Sequence, residues 1–103
     1  MATVKVDPGI CGFKTVIHAE CDDMQTCTLT IHSSCPNIGS ITIEGIDAYQ
    51  ECCFVKCDES QIMNELGKTL PHIACPIPTA ALKAVEVAAG LALPADVSMT
   101  IEK

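Results

Sequence analysis

Residues 14–32 read KTVIHAECDDMQTCTLTIH and decide the fold. Apolar and polar side chains alternate on both sides of the polar segment 22–25, and a period of two residues is typical of half-buried strands. The stretch therefore predicts a β-hairpin with one apolar face. The simplest register that buries the odd-numbered residues of both strands has the pairs Cys21–Cys27, Ala19–Leu29 and Ile17–Ile31.

Two further segments show the same alternation. Residues 3–7 precede the hairpin, with Val4 and Val6 on one face, and the turn Pro8-Gly9 follows them. Residues 96–102 lie near the C-terminus and place Val97, Met99 and Ile101 on one face. Together these segments predict an antiparallel sheet of about four strands, three N-terminal and one C-terminal, with one apolar face and one threonine-rich face.

Helices are predicted in the middle of the chain and towards its end. Residues 58–61 match a capping box, an acidic cap followed by Gln three residues later, and apolar residues follow at helical spacing. The clearest helix comes after Cys75-Pro76, since proline suits a first turn, and ends at Gly90. Residues 47–50 carry a weaker helix-start signal. These helices predict an α+β fold in which they pack on one face of the sheet.

Residues 36–46 carry conflicting signals. Pro36 at a first-turn position favours a helix. Gly39, Gly45 and the alternation Ile41-Thr42-Ile43-Glu44 favour a strand or a loop. We predict a short, imperfect helix here.

Length and composition restrict the class of protein. The 103 residues have the size of one domain, and we expect a single domain over residues 1–103. A net charge of −7 and only three aromatic residues argue against nucleic acid as a partner. The charge also disfavours an anionic membrane surface, and the most apolar stretch, 73–93, is too interrupted to span a bilayer. Because no secretory signal is visible, we expect a cytoplasmic protein.

Eight cysteines then need an interpretation. In a reducing compartment they indicate metal binding, redox chemistry or plain burial. Cys21 and Cys27 are interpreted as core residues of the hairpin, which oxidation could join. Cys52, Cys53 and Cys57 form a cluster in which metal chemistry, disulfide chemistry and the absence of any role all stay open.

The remaining three cysteines stand at turn or helix starts. Cys11 precedes Gly12, whereas Cys35 and Cys75 each precede a proline. A helix N-terminus presents free N–H groups and a positive dipole end, which favour thiolate over thiol. Metals and electrophiles both require thiolates. His72, three residues before Cys75, is a candidate further ligand or proton shuttle; the alternative is that these cysteines are merely tolerated caps.

The layout resembles that of the U-type iron–sulfur cluster scaffold proteins. The resemblance is carried by Cys11-Gly12, by Cys35 after the antiparallel strands, and by the stretch Leu70-Pro71-His72-Ile73-Ala74-Cys75 ahead of an alanine-rich helix. It implies a scaffold or carrier whose three cysteines hold an iron–sulfur cluster. The chain also resembles a group of short, uncharacterised proteins from anaerobic prokaryotes.

Three functions compete. The first is a metal-binding or iron–sulfur protein of scaffold or carrier type, with zinc or a cluster held by Cys11, Cys35, Cys75 and His72. The second is a thiol redox or cysteine-nucleophile enzyme, with Cys75 as the nucleophile and His72 as its base. The third is a non-catalytic structural module that forms a homodimer through the threonine-rich face or the alanine-rich helix. Metal binding ranks first, and we expect a binding protein rather than an enzyme.

Overall fold

The predicted hairpin forms in the predicted register. In the computed structural model, which describes residues 1–70 and 72–103 and only the backbone of Cys57, strand β2 (Thr15–Cys21) pairs antiparallel with β3 (Thr26–Ser33). Ala19 lies opposite Leu29 and Ile17 opposite Ile31, and all four side chains are fully buried. Cys21 lies opposite Cys27, and the two form a disulfide.

The hairpin turn is fixed by Asp23. Its Oδ1 accepts hydrogen bonds from the backbone N–H groups of Gln25 and Thr26, at 3.0 and 2.7 Å. The bonds from Thr26 and Gln25, in that order, lower the pKa of the exposed Asp23 carboxyl, because they favour its ionised form. Met24, which lies between Asp23 and Gln25, adopts a left-handed conformation with φ of 61°.

The sheet contains four strands in the order β1-β2-β3-β4, with β1 at Ala2–Val6 and β4 at Ser40–Asp47. The predictions of a helix within residues 36–46 and of a strand at residues 96–102 are therefore wrong. The alternation of residues 41–44 continues the sheet, with Ile41 opposite Ile31 and Ile43 opposite Leu29. Pro36 begins only one turn, in which the N–H groups of Ile38 and Gly39 donate to the Cys35 carbonyl at 3.1 and 2.9 Å.

A bulge lets β4 keep its apolar residues on the core face. Ile46 pairs with Cys27 and Ile43 with Leu29, so β4 carries one more residue than β3 between these pairs. Gly45 lies in this interval with φ of 69°, a left-handed conformation that glycine adopts at little cost.

Two α-helices cover the apolar face. A π-helical turn at Gln50–Phe54 and a 3-10 turn at Cys57–Glu59 lead into α1 (Gln61–Gly67), and α2 spans Ile77–Ala88. The cap of α1 is Ser60 rather than Asp58: its Oγ accepts from the N–H of Met63 at 3.1 Å. The Glu51 carboxylate accepts from the N–H groups of Gln61 and Ile62 at 3.0 and 2.7 Å.

Helix α2 ends where the sequence predicts. Gly90 has φ of 77°, its N–H donates to the carbonyl of Val87 at 3.1 Å, and the N–H of Leu91 donates to that of Glu86 at 2.8 Å. This is the paired hydrogen-bond pattern of a Schellman cap. Along the helix, Ala81, Ala84 and Val85 are fully buried against the apolar face of β1, β2 and β3.

The α+β fold, with a four-stranded antiparallel sheet and helices on one face, is confirmed. The described parts of the chain contain no helix with both the length and the apolar character needed to cross a membrane.

Truncating the centre of the sheet tests this core. We expect Leu29→Ala to lower the free energy of unfolding by about 2–5 kcal/mol, because the lost side chain leaves a cavity among fully buried neighbours. Thr30→Ala, on the opposite face, is the matched control and should cost less than about 1 kcal/mol. Urea denaturation followed by circular dichroism measures both, and equal losses would contradict the assigned faces.

Candidate functional site

One cavity lies at the end of the sheet opposite the hairpin turn. Its volume is about 90 Å³, and its lining includes Cys11, Cys35, His72 and Cys75. The cavity therefore brings together all four candidate site residues, which come from three connections of the chain: Cys11 from that between β1 and β2, Cys35 from that between β3 and β4, and both His72 and Cys75 from that between α1 and α2.

Strand pairing explains this convergence. Val6 pairs with Thr15, and Thr15 pairs with Ser33, so β1 ends, β2 begins and β3 ends at the same end of the sheet. The connections 7–14 and 34–39, which carry Cys11 and Cys35, must both leave from that end. Helix α2 runs back across the sheet from this end, since its C-terminal Gly90 lies against Met24 of the hairpin turn. Its N-terminal side therefore brings Cys75 to the same place.

A chain of hydroxyl groups lies in the lining of the cavity. The N–H of Cys35 donates to Ser33 Oγ at 3.1 Å, Ser33 Oγ lies 2.8 Å from Thr15 Oγ, and Thr15 Oγ donates to the carbonyl of Phe13 at 3.1 Å. Because Thr15 donates to Phe13, the bond between the two hydroxyls runs from Ser33 to Thr15. Each hydroxyl then donates once and accepts once, which ties the backbone of Cys35 to that of Phe13.

Thr15 and Ser33 were missed as site residues by sequence reasoning. Both line the cavity, and Thr15 is only 2% exposed. The signal was their parity: each stands at an odd-numbered position of the hairpin, where the other positions are apolar. A polar residue in such a row needs an internal hydrogen-bond partner.

The surroundings of Cys35 differ from the prediction. No helix follows it, and the N–H groups of the turn point to its carbonyl oxygen instead of its sulfur. Its Sγ accepts from the side-chain amide of Asn37 at 3.9 Å. The proposed stabilisation of this thiolate by a helix N-terminus is therefore wrong. Cys75 does precede a helix: it lies directly before Pro76, which is the N-cap of α2.

The four residues divide by exposure. Cys35 and Cys75 are half-buried, whereas Cys11 and His72 are exposed. Among the side chains that the structure describes, which exclude those of Cys57 and residue 71, no group of three or more His, Cys, Asp or Glu is arranged to hold a metal ion. The residue types around the cavity therefore suit a soft metal, but their present spacing does not.

Within the cluster of Cys52, Cys53 and Cys57, the two described side chains have different surroundings. Cys52 lines a second cavity, of about 120 Å³, with Glu51, Lys83 and Glu86, and its Sγ lies 3.9 Å from the carbonyl of Leu82. Cys53 is exposed, and the side chain of Cys57 lies outside the described residues. Burial, then the charges of Glu86, Cys53 and Glu51, raises the pKa of the Cys52 thiol to about 11, with Lys83 acting in the opposite direction.

The fold and the cavity define a small α+β domain with cysteines gathered at one end of its sheet. The chain belongs to a family of unknown function, DUF6951, whose model matches residues 2–101. Comparisons with curated proteins and with solved structures found no match.

The raised pKa of Cys52 predicts a slow thiol. At pH 8 a pKa of about 11 leaves only about one thiol in a thousand ionised. We expect Cys52 to react with iodoacetamide about a hundredfold more slowly than free cysteine, whose pKa is about 8.5. The rate should rise about tenfold per pH unit up to pH 10.

Tandem mass spectrometry, which localises the label, measures this rate. Among the charged groups, Glu86 raises the pKa of Cys52 most, so Glu86→Gln should lower that pKa and accelerate the reaction. A Cys52 that reacts as fast as free cysteine at pH 8 would contradict the assignment.

Proposed function

We propose that the protein binds zinc or an iron–sulfur cluster through Cys11, Cys35 and Cys75, with His72 as a further ligand. One observation carries the proposal: a single cavity is lined by all four residues, although they come from three connections of the chain that are far apart in sequence. Three thiols and one imidazole form a donor set that suits soft and borderline metals.

The cavity has room for an ion. A volume of about 90 Å³ exceeds the roughly 10–15 Å³ that one water molecule occupies on this measure. A single ion therefore fits within the cavity. The net charge of −7 also favours the approach of cations over anions.

Binding would require local closure of the site. Cys35 is held by its backbone bond to Ser33 and contributes a half-buried sulfur. Cys11 lies in the connection between β1 and β2 and His72 in that between α1 and α2, and both are exposed. We propose that these two residues move onto Cys35 and Cys75 when the ion binds. The resemblance to U-type scaffold proteins supports the same carrier role, since it falls on the same three cysteines.

Metal titration tests the proposal. The protein, purified without oxygen and freed of metal, is titrated with Zn²⁺ against a chromophoric chelator, and separately incubated with ferrous iron and sulfide. We expect one zinc per chain, or a cluster spectrum. Cys35→Ser and Cys75→Ser should each lower the affinity by about a hundredfold or more, and His72→Ala by about tenfold.

Cys53→Ser is the matched control, because Cys53 is exposed and does not line the cavity. It should leave the affinity unchanged. Less than a tenth of an equivalent of bound metal, or equal losses in the control and in Cys35→Ser, would refute the proposal. Absence of binding together with one rapidly alkylated cavity cysteine would favour the thiol enzyme instead.

A further inference from the structure

The C-terminal segment, residues 93–103, has the sequence of a strand but pairs with no strand in the described part of the chain. Val97, Met99 and Ile101 alternate with polar residues and are 63%, 75% and 92% exposed. The segment makes no backbone hydrogen bond with any other part of the described chain. An apolar row at a period of two is typical of a strand that covers a core.

The core is covered less completely at the edge strand β1 than at the neighbouring strand β2. Val4 and Val6, on its core face, remain half-buried, whereas Ile17 and Ala19 on the neighbouring β2 are fully buried. The pairing of β1 with β2 is uninterrupted from Ala2 to Val6, so β1 is a regular strand with an unpaired outer edge. Such an edge is a template for a further strand.

The other edge of the sheet is less suited to pairing. Strand β4 carries the bulge at Gly45, and the carbonyl of Glu44 accepts a hydrogen bond from the side chain of Gln61 in α1. Bulges and covering groups are the devices by which edge strands avoid further pairing. The acceptor edge is therefore β1.

We infer that residues 96–102 of one copy add to the β1 edge of a second copy, so that two chains exchange C-terminal strands. Each chain carries both parts of this contact, the unpaired segment 96–102 and the unpaired outer edge of β1. A two-fold arrangement of two chains pairs both segments with both edges at once. The segment leaves the domain beside the hairpin turn, after Gly90, and forms no hydrogen bond with the β1 of its own chain.

Side chains on the two surfaces match in character. Val97, Met99 and Ile101 would extend the apolar face beyond Val4 and Val6. Lys5, the exposed cation of β1, would lie beside a segment that bears Asp96 and Glu102 at its ends, with the single cation Lys103 after them. Opposite charges on neighbouring strands stabilise pairing, whereas like charges oppose it.

Light scattering and sedimentation of the full chain test this arrangement. We expect a concentration-dependent dimer. The triple variant Val97→Thr, Met99→Thr and Ile101→Thr should raise its dissociation constant by about a hundredfold or more, because it removes the apolar row but keeps the length of the segment. The matched control, Ser98→Thr with Thr100→Ser on the opposite face, should change it by less than about threefold.

Nuclear magnetic resonance on mixed samples identifies the contact. When an isotope-labelled copy is combined with an unlabelled copy, we expect intermolecular contacts between the Met99 methyl group and Val4 or Val6. A monomer at every concentration, contacts within one chain only, or a dimer that the triple variant does not weaken would each overturn the inference. The triple variant should keep its circular dichroism spectrum, which separates lost association from lost folding.

Discussion

The register between β2 and β3 is the constraint on which the other features of the structure depend. A shift of one residue would turn every side chain of a strand to the opposite face, so burial of Ile17, Leu29 and Ile31 fixes the pairing along its whole length. At one end this register joins Cys21 to Cys27. At the other end it sets Thr15 opposite Ser33, and so creates the hydroxyl pair to which the backbone of Cys35 is bonded.

Local periodicity was sufficient to predict the hairpin and the long helix, because in both the deciding residues are close in sequence. It was not sufficient to choose the fourth strand. Residues 40–47 and residues 96–102 alternate in the same way, but only one segment can lie beside β3. The short connection 34–39 settles the competition in favour of β4, since nearby strands pair with little loss of chain entropy. Pro36 led to the wrong prediction of a helix, because proline is equally suited to the first turn of a helix and to a single turn.

The sequence was sufficient to predict which four residues come together at the cavity, but not the geometry of their surroundings. Antiparallel strands that follow one another in sequence begin and end at the same two ends of the sheet. Cysteines in alternate connections therefore come together, and the order of the elements is sufficient to predict this. Whether a given sulfur meets an N–H group, an amide or solvent depends on single dihedral angles, as the turn after Cys35 shows. The separation of Cys52 from Cys53 likewise depends on how the π-helical turn faces α2, for which the sequence contains no signal.

The division of the cavity residues bears on what kind of metal site the proposal describes. A structural zinc site contributes to folding, and its ligands are close together in the folded chain. This domain instead has a core of buried apolar residues, against which Cys35 and Cys75 pack as partly buried neighbours, whereas Cys11 lies outside it. Binding would have to supply the free energy for moving Cys11 and His72, which lowers the net affinity by that amount. A lowered affinity of this kind would suit the proposed carrier, which has to pass its ligand on, better than a structural metal that is bound permanently.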